Sequence, residues 1–431
     1  MTFYEKVEQF KKRFKLTEHH AIERFGWMIG ALIVMGAIVW SGSLATAFVS
    51  NKDDRENTAL YTGEFTTSKT NRDGEVGGVY RNEDGSRALV MMKFADPALM
   101  SKNADDYQAF ITGLNYQGGK KYITQKVTGQ TMVMGSTGWM GVVITSDKPL
   151  DPMVYQLSMR SKEDVTAGAE DVSQEDIDSR YGGDESFAKF DQWRVGFNPR
   201  ALTVEHVEAL DTDNVEPVKV YTELLVAEQE QELREKAEKG LKDLKADLNR
   251  INVTQSNLQK TKVDNISVVP PEVPKYIKGD KVTGEEKSAD NKESSLRLET
   301  ENVIPGGWDF DWRAGSVSES YLDKLVAPGQ SYVDFLKAKK EKEDEADDST
   351  SMNLAWKLSN GDILSEDSSD SPLQPLIDAK NDLEGAYSKY LEDKRTYQVD
   401  TLGAMIELEV QLRGVESSSS VNASEKDFTV Y

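Results

Sequence analysis

Cysteine is absent from all 431 residues. That absence excludes disulfide scaffolds, thiolate metal sites and cysteine nucleophiles together. It suits an exported envelope domain that folds without oxidative help. Histidine is nearly as scarce, with three in the chain, His19, His20 and His206. The first two precede a long apolar run, so a Ser-His-Asp triad would depend on His206. That residue stands in ALTVEHVEALD, which reads as a helix and offers no nucleophile elbow. A zinc site needs three or four His, Cys or carboxylate ligands together, and the sequence shows no such grouping. No catalytic, cofactor or metal residue is assigned, and the chain is read as a non-enzyme without a cofactor.

Positive charge is the next shortage. Lys and Arg number 52 against 75 Asp and Glu, a net charge of −23. Such a field repels a phosphate backbone, so no nucleic-acid partner is expected. Hydrophobic residues reach 38% beside 29% charged, so part of the length is expected to be linker or solvated helix. Two patterns approach a motif and fall short. GLNYQGGKK at 113–121 carries one glycine too many for a phosphate loop and lacks the Ser or Thr that would hold magnesium. DTDNVE at 211–216 alternates oxygen donors but lacks the glycine and distal glutamate of a calcium loop.

What the chain does contain begins with one long uncharged run. No charged residue occurs between 25 and 51, and 27–49 reads WMIGALIVMGAIVWSGSLATAFV. At 1.5 Å per residue this crosses a hydrocarbon layer of ~30 Å with some tilt. Lys11, Lys12, Arg13, Lys15 and Arg24 precede the run, whereas Lys52 and Arg55 after it are offset by Asp53, Asp54 and Glu56. The bias predicts a single-pass membrane protein with a basic cytoplasmic tail (1–24), a transmembrane helix (25–50) and an extracytoplasmic C-terminal domain. The run is too long for the core of a cleaved signal. Gly26 and Gly30 form a GxxxG that permits close packing of membrane helices.

Beyond the membrane an α+β fold is expected. Residues 58–162 read as an antiparallel, membrane-proximal β domain. Its strands are expected at 60–68, 76–81, 87–94, 121–128, 130–135, 139–146 and 153–159, and a short helix at 105–114. Asp73-Gly74 and Asp84-Gly85 supply hairpin turns. Residues 163–215 read as an acidic, irregular linker.

Residues 218–262 read as a long helix with a seam of Leu241, Leu244, Leu248, Ile251 and Leu258, the spacing of a coiled coil. A second long helix is expected at 376–413, with Leu383, Tyr387, Tyr390 and Tyr397 on one stripe. Polar helices with one thin apolar stripe need a partner, so the two are expected to pair antiparallel. Between them, 263–371 reads as an insertion with a Pro-rich spacer, short strands and a helix, and an Asn360-Gly361 hairpin turn. Within it Trp308-Asp309-Phe310-Asp311-Trp312 alternates as a strand would, with Trp308, Phe310 and Trp312 on the core face. FDQWRVG at 190–196 is echoed by FDWRAG at 310–315, as two copies of one unit, or two strands pairing around one core, would be. The Ser-rich tail, 414–431, reads as disordered.

The expected function is a membrane-anchored structural or interaction subunit of a cell-envelope assembly, such as a secretion or conjugation machine. Its partners would be the membrane, other envelope proteins or further copies of itself. The alternatives are an envelope-polymer or calcium binder and an extracytoplasmic carboxylate-dependent hydrolase.

Overall fold

In 107–114, YQAFITGL, every second side chain is buried. Period-two burial is the signature of a strand with one face on a core. The helix expected here is instead a single 3-10 turn, Ala104–Asp106, running into that strand. Asn103 caps the turn by accepting from the Asp105 amide, and the aromatic and β-branched residues beyond prefer the pleated surface.

The computed structural model describes residues 62–96, 100–114, 120–162, 173–181, 185–286, 294–344, 354–364, 372–418 and 423–431. The architecture is mixed α+β, with antiparallel sheets and two long helices of 44 residues each. The predicted membrane segment, with Gly26 and Gly30, lies outside the described residues. Among the described residues no helix is long and apolar enough to cross a membrane.

The strands in chain order are β1 (Glu64–Thr66), β2 (Asp73–Arg81), β3 (Arg87–Phe94), β4 (Tyr107–Leu114), β5 (Lys120–Lys121), β6 (Val127–Val133), β7 (Trp139–Ser146), β8 (Val154–Ser161), β9 (Gln192–Phe197) and β10 (Glu205–His206). Far along the chain come β11 (Val268–Val269), β12 (Lys281–Thr283), β13 (Arg297–Glu299), β14 (Lys357–Leu358), β15 (Ala423–Ser424) and β16 (Phe428–Val430). A seven-stranded sheet runs β1-β2-β3-β7-β6-β15, with β10 parallel on β2. A five-stranded sheet runs β16-β4-β8-β9, with β5 on β4. Gly85 closes the β2–β3 hairpin at φ +73°, as the Asp-Gly signal predicts. The β1–β2 turn uses Asn71 at φ +50° instead, and Gly74 lies inside β2.

The two sheets face each other across a core that includes Val90, Met92, Val142, Ile144, Leu157, Met159 and Trp193. The seven-stranded sheet is buried on its other face as well. Leu89, Met91, Met132 and Val143 belong to the core of the helical unit. Strands covered on both faces read as continuous apolar runs, as RALVMMKF does.

Two expected boundaries move. The segment 163–215 is not all linker, because β9 carries Trp193, Val195 and Phe197 into the sandwich core. The tail at 414–431 is not wholly disordered either. The second long helix continues through Gly414 to Ser417, β15 pairs with β6, and β16 adds to β4 in parallel. The apolar stub Phe428–Val430 finds its partner in its own chain, and a Cβ at Gly129 would collide with the Phe428 ring. His206 sits in β10, not in a helix.

Helix α1 occupies 217–260, Tyr332–Asp344 forms α2, and α3 occupies 374–417. Pro217 and Pro375 start the long helices where a missing N–H does no harm. They run antiparallel: Tyr221 reaches Gln411, Gly240 abuts Tyr397, and Asp247 meets Asp393. Each contains a π-type turn, Thr222–Val226 in α1 and Thr396–Thr401 in α3. Such a turn inserts one residue and rotates the helix beyond it. Beyond it the buried residues of α3 include Leu402, Met405, Leu408, Glu409 and Leu412.

Candidate functional site

The helical unit is where the structure concentrates buried charged groups: Glu230, Asp247, Asp280, Lys380, Lys394 and Glu409. Leu241, Leu244, Ile251 and Leu258 of α1 are buried, as are Leu383, Tyr387, Tyr390 and Tyr397 of α3, all within one core. Leu248 is only half-buried, and its neighbour Asp247 takes the buried position. Asp247 is turned toward Asp393 of the facing helix, with which it shares a contact.

Glu230 extends the seven-residue spacing of Ala237, Leu244, Ile251 and Leu258 by one step and is itself buried. Its carboxylate accepts from the Val317 amide (3.1 Å), the Tyr321 hydroxyl (3.1 Å) and Arg234 one turn on (2.7 Å). From the opposing helix, buried Glu409 accepts from the amides of Tyr321 (2.8 Å) and Leu322 (3.0 Å) and the Ser320 hydroxyl (2.7 Å). Arg413 balances it, again one turn on (3.0 Å). Two antiparallel helices thus hold one turn, 317–322, through two carboxylates.

Farther along α3, Lys394 has no exposed side-chain surface. Its ammonium is ringed by Asp280 Oδ2 (2.6 Å), the Tyr276 and Asn302 carbonyls (both 2.8 Å) and Thr300 Oγ1 (2.9 Å). The Tyr390 hydroxyl donates to the same Asp280 oxygen at 2.6 Å. Desolvation lowers the Lys394 pKa, with Asp280 opposing the shift. Burial and the Asp280 contact push Tyr390 up. One turn on, Gln398 accepts from the Ile304 amide through its side chain and from Trp308 through its backbone. Asp247 is pushed up to about 6, by desolvation first and then by its contact with Asp393.

Trp308, Phe310 and Trp312 do not form a strand: 308–311 is irregular and Trp312–Ala314 is a 3-10 turn capped by Asp311. Among the described residues no neighbouring strand supplies a ladder there, and Trp308 instead bonds to the backbone of α3. Trp308 and Trp312 are nevertheless buried, and Phe310 is half-buried against Tyr321. The echo of 190–196 in 310–315 marks no duplicated unit. The first copy spans strand β9 of the sandwich and the second a turn on the helices. Asp211, first of the calcium-like run, accepts from the Glu83 amide and contacts His206 at 2.6 Å. Among the described residues no three His, Cys, Asp or Glu side chains stand together as a metal site would need.

Sequence reasoning missed Glu230, Asp247, Asp280, Lys394, Gln398 and Glu409. A signal existed for two of them. Glu230 keeps the heptad spacing, and Lys394 lies four residues after Tyr390 and three before Tyr397 on the predicted stripe. No protein-family model matches the chain, and neither the curated proteins nor the solved structures yield a match.

Proposed function

We propose that this chain is a membrane-anchored structural or interaction subunit of a cell-envelope assembly, of the secretion or conjugation kind. Its N-terminus is cytoplasmic and the region described above is extracytoplasmic. One observation carries the reading: the buried charges of the helical unit bind backbone amides, carbonyls and one another, not an open cleft. Glu230, Glu409 and Lys394 each fasten the segment between the helices onto them. Catalytic acids and bases need access to a substrate, whereas these groups brace two helices roughly 65 Å long at 1.5 Å per residue. A braced arm beside a sandwich suits a part that spaces and docks other proteins.

Two measurements on the full chain in its own membrane test this. Protease added to spheroplasts should remove 62–431 and spare about the first 50 residues, since the Lys and Arg bias sets orientation. In-membrane crosslinking should trap the arm against a neighbour at defined positions along 217–260. A protected C-terminal region inverts the topology. A chain that sediments as a monomer and crosslinks to nothing is not an assembly subunit.

A further inference from the structure

The outer face of the five-stranded sheet is chemically unlike the rest of this acidic chain. Arg160 of β8 lies between the rings of Phe110 (5.1 Å) and Phe190 (5.0 Å). Arg194 of β9 covers Phe187 at 4.6 Å, and Lys120 stands 5.9 Å from the ring of Tyr431. Tyr431 stacks on Phe110 with centroids 6.1 Å apart and remains 56% exposed. Of these groups Phe110, Lys120, Arg194 and Tyr431 line a shallow groove whose other lining is neutral, including Gln156 and Ser158. No ion pair among the described residues engages Lys120, Arg160 or Arg194. The exposed Arg194 guanidinium, stacked on its ring, presents in-plane N–H edges that match phosphate oxygens, whereas the Nε of Arg160 is buried.

The chain enters the fold beside this face. Thr62 Oγ1 accepts from the Gly196 amide at 3.0 Å, two residues along β9 from Arg194. The predicted membrane segment closes at residue 50, and a dozen residues span at most ~40 Å.

We propose that this face lies on the membrane holding the anchor, with Lys120 and Arg194 against lipid phosphates and the Tyr431 ring at headgroup depth. The inference rests on the anchored reading above. Lys and Arg near an anionic bilayer each contribute about fivefold in surface affinity, and tyrosine favours the headgroup layer. The net charge of −23 repels the remaining surfaces from such lipids, so one basic face sets the orientation of the whole.

The absence of cysteine permits single-site labelling. The full chain is reconstituted in vesicles of phosphatidylglycerol and phosphatidylcholine containing headgroup-spin-labelled lipid. A fluorophore is placed at Ser158→Cys on this face or at Val253→Cys on exposed α1 surface. The Ser158→Cys label should be quenched several-fold more than the Val253→Cys label. That excess should vanish in phosphatidylcholine alone, at ~0.5 M salt, where screening shortens to a few ångströms, and in Lys120→Gln/Arg194→Gln. Both substituted side chains are exposed, and the salt series needs no variant.

Equal quenching at the two positions, or an excess that survives salt and both substitutions, overturns the proposal. So does protection of the Ser158→Cys label by soluble polyphosphate in detergent without lipid, which would assign the face to a free polyanion. Alkaline washing reads the anchor separately. A chain that stays bound yet shows no excess loses this inference alone, and a chain that washes off loses the anchor with it.

Discussion

Single residues carry the sharpest consequences in the seam. Lys394 and Asp280 are both without exposed side-chain surface, so removing one partner strands a charge in low dielectric. Lys394→Met should cost about 3–5 kcal/mol in chemical denaturation. Removing the pair together, as Lys394→Met/Asp280→Leu, should restore part of that loss. A single variant within ~0.5 kcal/mol of the parent would mean the pair holds nothing. Asp247 tests the sign of a pH dependence. Its folded pKa of about 6 lies above its ordinary 3.8, through desolvation and Asp393, with Lys389 and Arg250 opposing. The folded state therefore keeps a proton that the unfolded state has released. The resulting penalty is fully present above about pH 6 and fades toward pH 4. Asp247→Asn should be more stable than the parent by roughly 1–2 kcal/mol at pH 7, with the gain gone near pH 4. Denaturation at the two pH values reads this directly, and an equal gain at both would exclude titration as its cause.

At the scale of elements, the seam is asymmetric in a way its spacing conceals. Leu244 is fully buried and Leu248 only half so. Leu244→Ala should cost 2–5 kcal/mol by urea denaturation and Leu248→Ala about 1 kcal/mol. A reversed order would show that α1 is rotated relative to this description. The heptad signal was legible because Ala237, Leu244, Ile251 and Leu258 repeat every seven residues. The exchange of Leu248 for Asp247 was not, because it depends on the facing Asp393. Strands β3 and β7 were legible to the residue, since buried apolar runs bounded by turn residues mark their own ends. β4 was not, because the turn capped by Asn103 ends after one 3-10 turn and the strand begins directly behind it.

For the whole molecule, the central fact is that the seven-stranded sheet belongs to two cores. Leu89 and Met91 point to the helices, while Val90 and Met92 point to the other sheet. A sandwich that folds independently of the helices, expected from residues 58–162 alone, would not have its central strands covered by them. Lys394→Met should therefore raise hydrogen exchange in β3 and β7 together with α1 and α3. Full protection of those strands while the helices open would restore two independent units. The C-terminal strands add to the coupling, since β15 and β16 follow α3 directly and seal one end of the sandwich.

The sequence by itself determined the absence of thiol chemistry, the apolar run before the described region, the α+β class, the two long helices and most strand positions within 58–162. These depend on local periodicity, charge and turn chemistry, which neighbouring residues declare. Only the tertiary structure decided that β9 and the tail complete the sandwich, that Trp308–Trp312 leaves the strand conformation, and that one sheet is shared by two cores. It also decided which polar residues are buried. Glu409 looks like any solvated helix charge, and the spacing that puts Glu230 and Lys394 on the seam does not name their partners, which lie nearly a hundred residues away. Pairing at that separation is set by the packing of whole elements, and no local pattern encodes it.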